Sequence, residues 1–174
     1  YHTRWNELTQ KDFTPENGAW LHGGRLDFSC EEFEKLPEKA IQEVQLYTIE
    51  LEYLDKIRKL CEEKGIELAF CFLPIAGEDE SYYYEVQCMN ATLKKYLEEQ
   101  RISYLDVMED PRVEINYKTD FYNFGHLNYY GQEKATGSIE DYLEQHFQLT
   151  DHRQDPEYEE WNEQYRTYLQ KVKR

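Results

Sequence analysis

The residues best suited to chemistry in this chain lie in one stretch, "DFYNFGHLNYYGQEKAT", residues 120–136. His126 stands there in a polar loop marked by Gly125 that runs straight into a helical pattern. A histidine so placed can serve as a general base when one ring nitrogen is held by a partner and the other faces a nucleophile. The partners within reach along the chain are Asn123, three residues earlier, Asp120, six residues earlier, and Asp106 at the end of the apolar segment "ISYLDV". The competing reading makes His126 a polar residue that joins a loop to a helix. Asn128 divides in the same way, between capping the following helix and touching a substrate.

A base needs a nucleophile to serve. The serines are Ser29, Ser81, Ser103 and Ser138, and none lies in a Gly-x-Ser turn after a strand. Tyr82 and Tyr83, in "SYYYE" (81–85), follow an acidic loop after an apolar run. They read either as aromatics that stack on a sugar or acyl-acceptor polymer, or as half-buried residues of a helix start. Cys30, Cys61, Cys71 and Cys88 form no CxxC pair, and the histidines have no metal-ligand spacing, so no metal site is expected. Cys61, Cys71 and Cys88 fit small buried hydrophobes, and whether any two cysteines pair is left open.

These residues must be carried by an ordered core, and a chain of 174 residues is long enough to bury one. The 36 acidic side chains outnumber the 20 basic ones, for a net charge of −16. That balance disfavours a nucleic-acid partner and anionic lipid surfaces, and reads as a solvated acidic exterior. Residues 1–37 read as an irregular arm with Trp5, Trp20 and a His22-Gly23-Gly24 turn, followed by an α/β core over 38–150 and a C-terminal helix within 151–174.

Within the core a helix is expected from about Ala40 to Lys64, with Val44, Tyr47, Leu51, Leu54 and Cys61 in its stripe, Ile57 and Leu60 widening it, and Gly65 as its stop. "IELAFCFLPI" (66–75) reads as a strand buried on both faces. A helix over 82–99, a strand over 102–107 and a helix over 129–147 follow, the last with Ala135, Ile139, Tyr142, Leu143 and His146 inward. Asp155 and Pro156 signal the start of the final helix, whose expected buried side is Trp161, Tyr165, Tyr168, Leu169 and Val172. Alternating helices and strands imply a parallel α/β sheet, whose sites form beyond the carboxyl ends of the strands.

The 120–136 block resembles the one that carries the catalytic Asp-x-x-His pair in SGNH/GDSL-type hydrolases, above all in their DltD-like, cell-envelope branch. "YHTRWNELTQKDF" (1–13), "LEYLDKIRKLCEEKGIELAFCFLPI" and "DHRQDPEYEEWNEQY" extend the likeness over most of the chain. The resemblance implies a three-layer, flavodoxin-like parallel sheet and serine-based ester hydrolysis or acyl transfer without a metal or organic cofactor. It implies an acylated cell-envelope glycan or teichoic acid as substrate, and an extracytoplasmic place in a Gram-positive-type bacterium; a cytoplasmic α/β partner protein is the alternative that the four cysteines suggest. His126 matches the family's catalytic histidine. Asn123 stands where the family has the orienting aspartate, a change that costs about 10⁴ in turnover in serine proteases; Asp120 is the possible substitute, off the motif's spacing. The family's nucleophile turn and oxyanion blocks are not found. The chain, which opens at Tyr1, is therefore expected to be a C-terminal half, inactive alone, whose serine lies upstream. A non-catalytic binding or scaffolding relative is the alternative, and Asn123 favours it.

Overall fold

The computed structural model describes residues 22–25, 41–77 and 79–172. Helix α1 runs Thr48–Lys64, strand β1 Ala69–Phe72, helix α2 Glu80–Glu99 and strand β2 Ser103–Asp106. A short 3₁₀ turn, Val107–Glu109, leads through a loop to strands β3 (Phe121–Asn123) and β4 (His126–Leu127), then helix α3 (Tyr129–His146). A second 3₁₀ turn, Pro156–Tyr158, precedes helix α4, Glu159–Val172. The chain is thus mixed α/β. β1 and β2 pair in parallel, Ala69 opposite Ser103 and Phe72 opposite Asp106, and β3 and β4 form a separate antiparallel ladder. Among the described residues no helix is long and apolar enough to cross a membrane.

Helix α1 starts eight residues later than its apolar periodicity suggests, because tertiary contacts claim the backbone of 41–47. The Val44 N–H donates to Thr92 Oγ1 of α2 at 2.9 Å, and Lys95 of α2 pairs with Glu43 at 2.7 Å. Glu50 then reaches back to accept from the Tyr47 N–H at 2.9 Å, satisfying one donor at the helix start. At the other end Gly65 adopts φ +65°, and the Ile66 N–H closes on the Cys61 carbonyl at 2.8 Å, the left-handed stop that the glycine signalled.

The core gathers where the strand ends meet the β3–β4 ladder. Ala76, Val107, Phe121, Leu127 and Ala135 form its buried cluster, and Leu97 of α2 is fully buried. Four burial expectations change. Of the stripe expected for the first helix, Val44, Tyr47, Ile57 and Leu60 are exposed, since the helix begins only at Thr48 and turns Leu51, Leu54 and Cys61 inward. β1 is not buried on both faces: Ala69 and Cys71 are exposed and Phe70 and Phe72 half-buried, since among the described residues β2 is its only strand neighbour and one face is open. α3 turns Gly131, Ala135 and Ser138 inward while His146 is exposed, small side chains being what allows its close approach. On α4, Trp161 and Tyr165 are 63% and 61% exposed, and the half-buried side is Tyr168, Leu169 and Val172. Asp155 does not cap by its side chain, which takes His152 Nδ1 at 2.7 Å instead.

Candidate active site

The tight connection between β3 and β4 presents His126. It begins with an Asx turn, in which the Gly125 N–H donates to Asn123 Oδ1 at 3.0 Å, one of the local bonds by which asparagine shapes a turn. The same oxygen lies 2.8 Å from Nδ1 of the exposed His126 ring. These two contacts settle the protonation pattern. A backbone N–H only donates, so the atom facing Gly125 is the amide oxygen; that oxygen only accepts, so Nδ1 of a neutral His126 carries the proton. Nε2 is left with the lone pair, which is the tautomer that a general base requires. One backbone N–H thus orients the amide toward the Nδ1–H tautomer.

The loop is fixed from below. The Phe124 carbonyl accepts from the Ala76 and Gly77 N–H groups at 2.9 and 3.0 Å, tying the His126 turn to the segment that leaves the carboxyl end of β1. Asn128 is fully buried. Its Oδ1 accepts from the N–H groups of Tyr130 and Gly131 at 3.0 and 3.2 Å, capping α3. Its Nδ2 donates to the carbonyls of Thr119 and Gly24 at 2.6 and 3.1 Å. Asn128 is a structural hub, with no surface to offer a substrate.

Asp120 is also drawn into structure. Oδ2 accepts from the Asn116 N–H at 2.7 Å and pairs with Lys134 Nζ at 2.6 Å, and Oδ1 accepts from Thr119 Oγ1 at 2.8 Å. Its carboxylate closes the 116–120 turn and anchors α3. Asp106, 8% exposed, accepts from Asn90 Nδ2 at 2.6 Å and from the Met108 N–H at 2.9 Å. Beside it, burial and the Asp106 charge push the Tyr104 hydroxyl well above its ordinary range. Tyr104 and Asp106 wall a cleft of about 420 Å³ at the carboxyl end of β2, lined further by Arg112, Ser138 and Tyr142; neither His126 nor Asp120 is part of its lining. Ser138 Oγ donates to Asp110 at 2.6 Å.

Tyr82 is 50% exposed, whereas Tyr83 is buried with its hydroxyl 3.3 Å from that of Tyr117; only the former can meet a ligand. Ser29 lies outside the described residues. The four-residue stretch 22–25 is a neighbour of the site that sequence reasoning did not place there. The His22 ring stacks on Tyr122 at 3.6 Å between centroids. The His22 carbonyl accepts from the Tyr129 N–H at 3.0 Å, and Arg25 lies over the Tyr130 ring at 5.3 Å. A Cβ on Gly23 would fall 2.7 Å from the Tyr129 ring, so the paired glycines in "HGGR" were a usable signal of close packing. Among the described residues no group of three His, Cys, Asp or Glu side chains is placed to hold a metal ion.

No family model, curated protein or solved structure matches this chain.

Proposed function

We propose that this chain supplies the histidine half of an SGNH-like serine esterase or acyltransferase, built on a three-layer, flavodoxin-like domain and acting on an acylated glycan or teichoic acid of the cell envelope. The observation that carries the reading is the His126 Nδ1–H bond to Asn123 Oδ1, with the amide held in place by Gly125. In this mechanism Nε2 of His126 takes the proton of a serine hydroxyl as its oxygen attacks the ester carbonyl. The imidazolium then returns that proton to the departing alcohol oxygen, leaving an acyl-serine. Water or an acceptor hydroxyl repeats the two proton movements and releases the acyl group. Asn123 offers the imidazolium a dipole and no charge, so the site runs slower than one with aspartate. No cofactor enters this chemistry.

The test is fluorophosphonate labelling of the natural gene product that contains these residues, with the 174-residue chain as control. Labelling of the former that is lost in His126→Ala supports the site. A folded gene product that takes no label sinks it and favours the second reading, a non-catalytic relative, which rests on the amide at position 123.

A further inference from the structure

Helix α1 carries an apolar stripe that the rest of the described chain does not cover. Ile49, Tyr53, Ile57 and Leu60 recur at intervals of four, four and three residues, which stacks them along one side of a helix. They are 56, 57, 43 and 54% exposed. α1 turns a different side, Leu51, Leu54 and Cys61, toward the body of the protein, and those residues are half-buried. Glu52 and Lys56 border the exposed stripe. Among the described residues neither makes an ion pair, and the Lys56 ammonium lies over the Tyr53 ring, 4.5 Å from its centroid.

We propose that this face docks a second copy of the chain, α1 against α1, antiparallel about a two-fold axis. Such an axis crosses both helices at one residue position, and pairs that meet across it have midpoints within about one residue of that position. Ile49 with Leu60, Tyr53 with Ile57, and Glu52 with Lys56 all have midpoints at or between residues 54 and 55. One register therefore seats the large side chains on each other and sets each Glu52 against Lys56 of the other copy, twice by symmetry. Glu52 and Lys56 border the same side of the stripe; an antiparallel two-fold sets that side of one helix against the same side of the other, whereas a parallel two-fold sets it against the opposite side and does not bring Glu52 to Lys56. Basic side chains are scarce in this chain, yet Lys56, Arg58, Lys59 and Lys64 gather in the second half of α1. Arg58 is taken up within the helix by Asp55 and Glu62, and Lys59 by Asp55, which leaves Lys56, at the border of the stripe, to meet Glu52 of the other copy. Four side chains on one helix make a small interface, which fits a reversible dimer rather than an obligate one.

Sedimentation equilibrium of the full 174-residue chain across the micromolar range tests this. The expected result is a reversible dimer. Glu52→Lys or Lys56→Glu alone should raise its dissociation constant about tenfold, a shift expected when two symmetric attractions become repulsions. The two changes together should restore it. Both sites are solvent-facing, so circular dichroism should show unchanged helix content in every variant. A chain that stays monomeric throughout, or a double variant no tighter than the singles, overturns the proposal and assigns the stripe to a different polypeptide segment.

Discussion

Asn123 holds Nδ1 of His126 at 2.8 Å while the Gly125 N–H holds Asn123 at 3.0 Å, so the histidine's tautomer is set, through the amide, by the backbone N–H of the residue before it. In nitrogen-15 correlation spectra at a pH where the ring is neutral, His126 should show the Nδ1–H form. Asn123→Ala should yield a tautomer mixture with the fold unchanged. A parent spectrum dominated by Nε2–H would mean that the amide faces the other way and that the base assignment is wrong.

Asn123→Asp keeps both acceptor contacts and adds the missing charge. Fluorophosphonate labelling of the gene product should then quicken, by up to about 10⁴-fold if the imidazolium is the rate-limiting species. An unchanged rate in a folded variant would show that Asn123 is not what limits the site.

Asn128→Ala removes the cap of α3 and strips the half-buried Thr119 and Gly24 carbonyls of their donor. A lost cap costs about 1 kcal/mol, and a stranded polar group about 1–3 kcal/mol when buried; at these half-buried carbonyls the lower end applies, so a loss of roughly 3 kcal/mol is expected in denaturant titration. Asn128→Asp restores the cap acceptor without the donors and should recover only part of that. Full recovery would place the weight on the cap alone.

Two glycines should respond differently to alanine. At Gly131 a Cβ would collide with the Asp120 carbonyl oxygen, a backbone atom that cannot step aside, so α3 must shift at a cost of roughly 1–3 kcal/mol or more. At Gly65 there is open space, and only the φ of +65° resists, costing about 1 kcal/mol. Equal losses in thermal unfolding would contradict the contact at Gly131.

The Arg112 guanidinium, then the Ser138 hydroxyl, hold Asp110 well below the usual carboxylate range. A depressed native value means stability that is complete above the ordinary carboxylate value of 3.8 and is lost as pH falls through the native one. Acid unfolding below about pH 4 should therefore flatten in Asp110→Asn relative to the parent. A parallel pair of curves would show that Asp110 does not contribute to the acid limb.

The parts of this fold that were legible in the sequence are those that local chemistry decides. Gly65 ends α1, Asn128 starts α3 and "ISYLDV" contains β2, each because a cap, a stop or a short apolar run is sufficient signal. The start of α1 was not legible, since the donors of 42–44 are taken by residues of α2 more than forty positions away. The His126–Asn123 pairing could be read from a three-residue spacing, but the Asx turn that orients it depends on backbone geometry. Asp120 looked like a spare carboxylate because Lys134, fourteen positions on, gives no local sign of being its partner. Tyr83 and Tyr82 are neighbours of one type with opposite exposure, a difference that only the packing of α2 decides.

The bond from Asn128 Nδ2 to the Gly24 carbonyl joins residues 104 positions apart. Closing so long a loop costs entropy that local helices and the two strand pairs do not pay, and contacts of that separation slow folding. The floor beneath His126 is therefore expected to be completed last, after α3 has its cap and the β3–β4 ladder has formed. A stopped-flow experiment should see the Tyr122 environment reach its native signal later than helix content, which makes the arrival of "HGGR" the event that finishes the site.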